Sequence, residues 1–409
     1  MTSRRGFLGG AGAAAGAIAA LGAPSMVHAN AVPFFGPHQG GIATPQRLQS
    51  HVFFAVFDLT TDRRDDLIGV MRDWTLASAL LQAGLPVDHL GHDSEPDSGE
   101  AIGLNPARLT LTFGFGPELF TRQGKDRYGL AARRPEALVD LPVFPGDQLQ
   151  ADKTGGALMV QACADDPQVA FHAVRQLARI ADGAVTVKWT QTGYSSAAPN
   201  GATARNLMGF KDGTMNPNVA DPKAMAASVW VGPEGPAWMQ GGSYMVARRI
   251  RIALQHWDQM KVAFQEQVVG RHKISGAPLG KKGEFAPLDL DATDADGNPV
   301  IPANAHVRLG APEVNGGVEI LRRSFSYSDG VSFTAERWPP WRQAMEYNAG
   351  LLFICYQKDP RAGFIRIFGP MSRIDALNQF TTHEKSGIFA CPPGAAKGGY
   401  IGQALFDAA

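Results

Sequence analysis

The sequence has 409 residues, and its acidic and basic side chains balance at 38 each. A chain of this length exceeds the usual size of one hydrophobic core and predicts two domains or a duplicated unit. The balanced charge argues against a nucleic-acid-binding protein. The three cysteines, Cys163, Cys355 and Cys391, are too widely spaced for a zinc site or a disulfide framework. We expect Cys163 and Cys355, which lie in apolar runs, to be buried and unreactive.

The first 29 residues are typical of an export signal. Arg4 and Arg5 precede a weakly hydrophobic run rich in alanine and glycine, so residues 1–29 are predicted to be a twin-arginine signal peptide. A membrane anchor is the alternative, but the run is short and rich in small residues for a membrane span. We therefore expect cleavage near Ala29–Asn30, the twin-arginine export machinery as a partner, and a periplasmic or secreted mature protein. Because this route carries folded proteins, it also hints at a cofactor bound before export.

Two similar series of strands and helices follow a leader rich in proline and glycine at residues 30–45. The hydrophobic pattern of residues 46–215 predicts the order β-α-β-β-α-β, the split βαβ unit of ferredoxin-like folds. Residues 216–409 repeat this order. The sequence thus predicts an α+β protein of two ferredoxin-like halves, packed sheet to sheet as a dimeric α+β barrel-type body.

A carboxylate stands between flexible residues where the two halves meet. The stretch Gly209–Pro217 reads GFKDGTMNP, in which Asp212 directly precedes Gly213. An Asp-Gly pair most often forms a turn and nothing more. Because sites commonly form where domains meet, a functional role for Asp212 is the alternative.

His306 is the candidate metal or haem ligand among the ten histidines. It lies between two loops in the stretch IPANAHVRLGAPE, where most histidines are surface residues. A neutral imidazole is, however, the commonest ligand of this kind. His172 competes for the role, but its position within a predicted helix favours a packed side chain. His256, beside Trp257 on a predicted strand edge, also favours a structural role.

Two adjacent arginines, Arg322 and Arg323, lie on a predicted strand with the sequence EILRRSFSYS. Successive residues of a strand point to opposite faces, so one arginine faces inward and the other outward. An inward arginine is costly unless it meets an anion. A surface strand with two solvated arginines is the competing interpretation.

Three stretches in chain order resemble the signature of the dye-decolorising peroxidases: GFKDGT, AHVRLGAP and LRRSFSYS. The similarity covers nearly the whole mature chain, and stretches such as LTLTFGFGPELF and GRHKISGAPLG resemble the exported, twin-arginine branch of that family. The resemblance implies one haem b per chain and a peroxidase that reduces hydrogen peroxide and oxidises bulky phenolic or dye-like donors in one-electron steps. Two alternatives stay open: a deferrochelatase-like component of iron uptake, and a non-catalytic haem-binding protein. A homo-oligomer is also left open.

Carried over residue by residue, the resemblance implies a haem site. Asp212 matches the distal carboxylate that moves the peroxide proton, Arg322 the distal arginine, and His306 the proximal ligand of the iron. With Arg322, the other residues implied to contact the haem are Gly213, Thr214, Met215, Ala311, Pro312, Glu313 and Phe353. Gln379 stands where relatives often carry an acid near the proximal histidine, and a neutral partner there predicts a higher iron reduction potential.

Large donors do not fit a small distal pocket, so an electron relay through a surface aromatic residue is expected. The insert SFTAERWPPWRQAMEYNAG offers Trp338, Trp341 and Tyr347. Clustered aromatic residues near prolines more often serve packing, which is the alternative role of these three.

Overall fold

The computed structural model describes residues 29–88, 96–196, 202–335 and 343–407. The candidate relays Trp338 and Trp341 and all but the last residue of the predicted signal peptide lie outside these ranges. Within them, no helix combines the length and the apolar character that crossing a bilayer requires.

Nine strands of the described chain form one sheet. They are β1 (His51–Leu59), β2 (Thr110–Phe115), β3 (Leu158–Ala164), β4 (Val185–Tyr194), β5 (Ser243–Ile252), β6 (Leu321–Arg322), β7 (Phe325–Ala335), β8 (Gln343–Gln357) and β9 (Thr381–Cys391). Their order is β5-β9-β2-β3-β1-β4-β7-β8-β6, and an additional pairing of β5 with β8 closes the sheet into a barrel. The remaining relay candidate, Tyr347, is half exposed on β8.

The helices connect these strands in the order that the sequence predicts. They are α1 (Arg64–Gln82), α2 (Pro117–Phe120), α3 (Pro167–Ile180), α4 (Pro222–Ser228), α5 (Leu254–Asp258), α6 (Val262–Val269), α7 (His306–Leu309), α8 (Phe364–Ile374) and α9 (Gln403–Asp407). The major elements of each half follow the β-α-β-β-α-β order, so the predicted α+β fold class is confirmed. The boundary near residue 215 stays a prediction.

Each half contributes four neighbouring strands, and the two sets meet at two narrow joints. The first half runs β2-β3-β1-β4 and the second β7-β8-β5-β9, the same spatial order in both. One joint pairs Phe115 with Ala390, and the other pairs Tyr194 with Ser326. The duplication read from the sequence is therefore visible as a repeated strand order around one barrel.

Helix α3 shows how local sequence fixes an element of the first half. The Asp166 carboxylate caps its N-terminus by accepting hydrogen bonds from the main-chain amides of Gln168 and Val169. Pro167 occupies the first helical turn, where its missing N–H costs nothing. The apolar face of α3 then packs against α1, and the Trp74 indole of α1 donates to the Leu177 carbonyl at 2.8 Å.

Side chains alternate between the two faces of a strand, and on β1 both faces are buried or half-buried. On β1, Val52, Phe54 and Val56 join the apolar cluster inside the barrel. Ala55 and Phe57 point the other way and join the cluster under α1 and α3. One apolar core thus fills the barrel, and a second lies between the outer face of the barrel and its helices.

The three cysteines are buried within these layers, as expected for Cys163 and Cys355. Burial raises the pKa of both of those thiols to about 12. The thiolate, which is the reactive form, is therefore suppressed at neutral pH.

The predicted leader packs onto the barrel. Ile42 is fully buried within the interior cluster. The Gln39 amide donates to the carbonyls of Phe113 and Pro392 at 3.0 and 2.8 Å and accepts from the Phe113 amide. Residues 30–45 thereby link strand β2 of the first half to the segment that follows β9 in the second.

A buried arginine fixes helix α8 against the sheet. Arg248 of β5 is fully buried, forms an ion pair with Asp147, and lies 5.3 Å from the ring centroids of both Phe144 and Phe368. Phe368 belongs to α8. The guanidinium therefore joins the Phe144–Asp147 loop to a helix that lines the cavity described below.

Removing Asp147 should destabilise the fold, because it would leave the charge of Arg248 buried and unpaired. We expect Asp147→Ala to lower the free energy of unfolding by about 3–5 kcal/mol. The matched control is Glu136→Ala, which removes a carboxylate that pairs with Arg361 from a 90% exposed position and should cost about 0–1 kcal/mol. Denaturant unfolding followed by tryptophan fluorescence measures both, and equal small losses would contradict the role given to Asp147.

Candidate active site

A cavity of about 270 Å³ lies on the outer face of the strands of the second half. Arg322 of β6 and Phe353 of β8 line it from the sheet, and His306 of α7 and Met371 of α8 line it from the helices. Most of the remaining wall is apolar and includes Ile250, Ile252, Leu351, Phe364, Ile367, Phe368 and Leu377. Such a pocket, with a few polar groups, is typical of a binding site for a small molecule or a cofactor.

The structure brings most of the predicted site residues together. The ones that line the cavity are Asp212, Gly213, Thr214, Met215, His306, Ala311, Pro312, Arg322 and Phe353. Glu313 is exposed and does not line it.

The two competing histidines lie elsewhere. His172 is buried in α3, where its ring lies 3.4 Å from the Asp97 carboxylate and 3.2 Å from that of Glu100. His256 lies in α5 rather than on a strand edge and packs against Phe380. Both side chains make the structural contacts that the sequence favours for them.

His306 begins the short helix α7 and is held by a buried carboxylate. Its Nδ1 atom lies 2.7 Å from Oδ2 of Asp375, whose side chain is only 4% exposed. This hydrogen bond engages Nδ1, and Nε2 is the ring nitrogen that Asp375 does not contact. The ring keeps 41% of its surface exposed and lines the cavity. Burial lowers the pKa of His306, but the charge and the hydrogen bond of Asp375 outweigh burial, so the pKa is raised overall.

The expectation of a neutral partner at Gln379 is wrong. Asp375 ends α8 and caps a 3-10 turn, Ala376–Gln379, through a hydrogen bond from the Leu377 amide. This turn directs Gln379 to the surface, where its amide donates to the carbonyl of Ala376. The side chain paired with His306 is therefore a carboxylate, that of Asp375, which lies four residues before Gln379. An anionic partner makes the imidazole a stronger donor, which removes the reason for a higher reduction potential.

Asp212 and Arg322 form an ion pair in the same cavity. Nη1 of Arg322 donates to Oδ1 of Asp212 at 2.9 Å, and both side chains are about one quarter exposed. Gly213, next to the carboxylate, has φ +102°, a conformation that disfavours other residues. The loop is held from outside by Glu284, which accepts hydrogen bonds from Lys211 and Thr214.

Arg323 points to the opposite face of its strand, as alternation predicts. Its side chain is buried, and Nη2 donates to the carbonyl of Pro45 at 3.2 Å. One arginine of the pair therefore faces the cavity, and the other enters the barrel.

Sequence reasoning missed several polar residues that line the cavity, among them Arg271 and His383. Arg271 is 4% exposed, and its Nη1 donates to the carbonyls of Gly276 and Glu284. Its Nη2 and the Nδ1 atom of His383 have no hydrogen-bond partner among the described residues. Burial and the charge of Arg248 hold the pKa of His383 well below its usual value, so this ring is neutral. Arg271 stands in GRHKISGAPLG, a stretch that resembles the exported branch of the family, whereas nothing in the sequence around His383 marks it.

The donor set fits haem better than a bare metal ion. Across the described ranges, no group of three or more His, Cys, Asp or Glu side chains is placed to hold a metal. The cavity instead offers two imidazoles, of which that of His306 is backed by Asp375 and that of His383 is buried. Haem needs one protein ligand because its macrocycle supplies the others. Apolar walls suit the porphyrin, and the unpaired Nη2 of Arg271 suits a ligand that carries carboxylates.

Comparison with known proteins matches both halves of the chain. The family model described as Dyp-type peroxidase, N-terminal, matches residues 39–195, and the model described as Dyp-type peroxidase, C-terminal, matches residues 203–396. The chain is 37% identical to the dye-decolorizing peroxidase of Thermobifida fusca, over 99% of this chain and 97% of that protein. It is 33% identical to the deferrochelatase of Yersinia pseudotuberculosis, over 92% and 85%.

Solved structures agree with these matches. DtpA from Streptomyces lividans, in an oxyferrous/water mixed complex, has a TM-score of 0.82 at 41% identity, covering 92% of this chain and 97% of that one. The DyP-type peroxidase from Streptomyces coelicolor has a TM-score of 0.83 at 40% identity, with the same coverage. The chain therefore belongs to the Dyp-type peroxidase family and is a haem-dependent peroxidase.

Proposed function

We propose that this peroxidase binds haem b with His306 as the iron ligand, reduces hydrogen peroxide with the help of Asp212 and Arg322, and oxidises bulky phenolic or dye-like donors by single electrons. The observation that carries the proposal is one cavity that holds both an imidazole backed by Asp375 and a carboxylate–guanidinium pair. These are the elements that peroxide reduction at a haem requires: a ligand, a proton carrier and a fixed cation.

Haem bound in this cavity supplies the redox-active iron and a macrocycle that stores oxidising equivalents. Nε2 of His306 would hold the iron, since Nδ1 is engaged by Asp375. Asp375 fixes the tautomer and the orientation of that ring. Nη2 of Arg271 would meet a carboxylate of the haem.

Asp212 and Arg322 divide the work on peroxide. The Asp212 carboxylate accepts a proton from one peroxide oxygen and returns it to the other, directly or through one water. The guanidinium of Arg322 is a fixed cation that stabilises the negative charge that develops on the departing oxygen. Their 2.9 Å contact keeps the proton carrier and the cation side by side.

A second function is favoured by several relatives named deferrochelatase, among them the one from Yersinia pseudotuberculosis that is 33% identical to this chain. Under that alternative the same cavity would bind haem and release its iron with the porphyrin intact. An assay that follows free porphyrin and peroxide-dependent dye oxidation in the same sample distinguishes the two functions. Dye oxidation without free porphyrin supports the peroxidase proposal, whereas porphyrin release without dye oxidation contradicts it.

Replacing His306 should separate haem ligation from folding. We expect His306→Ala to lose most of its haem affinity while the haem-free chain stays folded, because α7 contributes little to the core. The comparison variant Asp375→Asn should keep haem but raise the iron reduction potential, since the imidazole loses its anionic partner. Haem titration by absorbance and spectroelectrochemistry measure the two effects. A His306→Ala protein with an unchanged histidine-type spectrum would show that the ligand lies elsewhere.

Replacing Asp212 and Arg322 should slow peroxide reduction in different ways. Asp212→Asn keeps the shape of the side chain but removes the base, so the proton transfer from peroxide should slow. Arg322→Leu removes the cation, and we expect a loss of roughly a hundredfold or more, the larger of the two effects. Asp221→Asn, which alters a helix-capping carboxylate outside the cavity, is the control. Stopped-flow mixing with peroxide measures the rates, and wild-type values in both site variants would refute the mechanism.

We also propose that residues 1–29 direct export by the twin-arginine route, on the strength of the Arg4–Arg5 pair and the small-residue run. Arg4→Lys combined with Arg5→Lys should leave the precursor in the cytoplasm, since the pair is the feature that this route reads. Fractionation and immunoblotting measure the distribution. Replacement of Arg47 by Lys, beyond the signal, serves as control, and normal export of the double variant would exclude this route.

A further inference from the structure

Strand β6 leaves two main-chain groups of Arg322 turned away from the sheet. It consists of Leu321 and Arg322, pairs with β8, and stands last in the strand order. The Arg323 amide donates to the Ile354 carbonyl of β8 at 2.8 Å. Because successive residues of an antiparallel strand direct their main-chain groups to opposite sides, the N–H and C=O of Arg322 face away from β8.

The side chain of Asn216 occupies that free edge. Its Nδ2 donates to the carbonyl of Arg322 at 2.7 Å, and its Oδ1 accepts from the amide of Arg322 at 3.1 Å. A carboxamide carries a donor and an acceptor side by side, as a peptide group does. Asn216 therefore continues the ladder by one step and satisfies both groups.

Asn216 also belongs to the loop that carries Asp212. Its main-chain amide donates to the Gly213 carbonyl at 3.2 Å, which closes a turn directly after the carboxylate. The loop and the strand are thus joined twice: through the ion pair of Asp212 and Arg322, and through Asn216 and the Arg322 main chain. The second connection is built from neutral groups and does not depend on the ion pair.

We infer that Asn216 is a positioning residue for peroxide reduction: it sets the separation of the Asp212 carboxylate from the Arg322 guanidinium by locking their backbones together. The inference rests on the roles proposed above for those two residues. Misplacement of reacting groups by about 1 Å can cost on the order of a hundredfold in rate. The effect of Asn216 on the reaction should therefore pass through Arg322.

Loss of the Asn216 side chain should loosen the pair without releasing the loop. The loop keeps its contacts with Glu284, which accepts hydrogen bonds from Lys211 and Thr214. The Asp212 amide also keeps its hydrogen bond to the Ala204 carbonyl at 2.9 Å. Asn216→Ala should accordingly fold and bind haem as the wild type does.

A double-mutant cycle tests whether Asn216 acts through Arg322. We expect Asn216→Ala to lower the rate constant for the reaction with peroxide by about tenfold to a hundredfold, and Asn216→Asp, which keeps the acceptor but loses the donor, to lower it as well. In the Arg322→Leu background the same Asn216→Ala change should alter the rate less than about twofold. Asn218→Ala is the control, because the Asn218 side chain bonds to Ala220 within its own loop. Equal losses in both backgrounds, or no loss in the first, would overturn the inference.

Hydrogen exchange measures the contact between the Arg322 amide and Asn216 in the haem-free protein. The Arg322 amide should exchange at least about tenfold faster in haem-free Asn216→Ala than in haem-free wild type, because its acceptor is gone. Asn218→Ala should leave that amide unchanged. If the wild type fails to react with peroxide, the proposed function fails while this measurement still reports on the contact. An unchanged exchange rate in Asn216→Ala would overturn the positioning role itself.

Discussion

The site depends on the alternation of side chains along strands that are buried on both faces. Leu352 and Ile354 of β8 fill the barrel, whereas Leu351 and Phe353, their neighbours in the chain, line the cavity. A shift of register by one residue would exchange the two sets and put barrel side chains into the site. The packing of the barrel interior therefore fixes which residues of these strands line the cavity and can face a haem.

Two buried or half-buried carboxylates each form a polar pair in the lining of the cavity. Asp375 engages His306, and Asp212 engages Arg322. In both pairs a short side chain from a turn meets a residue from a different element, so the geometry is set by tertiary packing. The rest of the wall is mostly apolar. An apolar wall lowers the local dielectric constant and so strengthens both pairs relative to the same pairs in bulk water.

Local sequence predicts the site residues that stand in a motif. It fails where the conformation of a turn determines which side chain reaches the site. Asp212, His306 and Arg322 each stand in a stretch whose residues indicate the chemistry. Alternation alone predicts that the side chains of Arg322 and Arg323 lie on opposite faces of their strand. The partner of His306 could not be chosen in this way, because Asp375 is 69 residues distant and a single 3-10 turn decides whether it or Gln379 meets the ring. His383 lies on strand β9, and the depth at which it is buried depends on Arg248 and Phe368 from other elements.

The residue paired with His306 bears on whether this cavity suits peroxidase activity or the release of iron from haem, the two functions proposed above. With His306 as the proposed ligand, a neutral amide beside it would make a weaker iron–imidazole bond and favour release of the metal. The Asp375 carboxylate, 4% exposed, would instead make the imidazole a stronger donor and favour a metal that stays bound. Retention is what repeated reaction with peroxide needs, because a catalyst must end each cycle intact. The Asp375 carboxylate, which could not be identified from the sequence, therefore favours peroxidase activity over iron release.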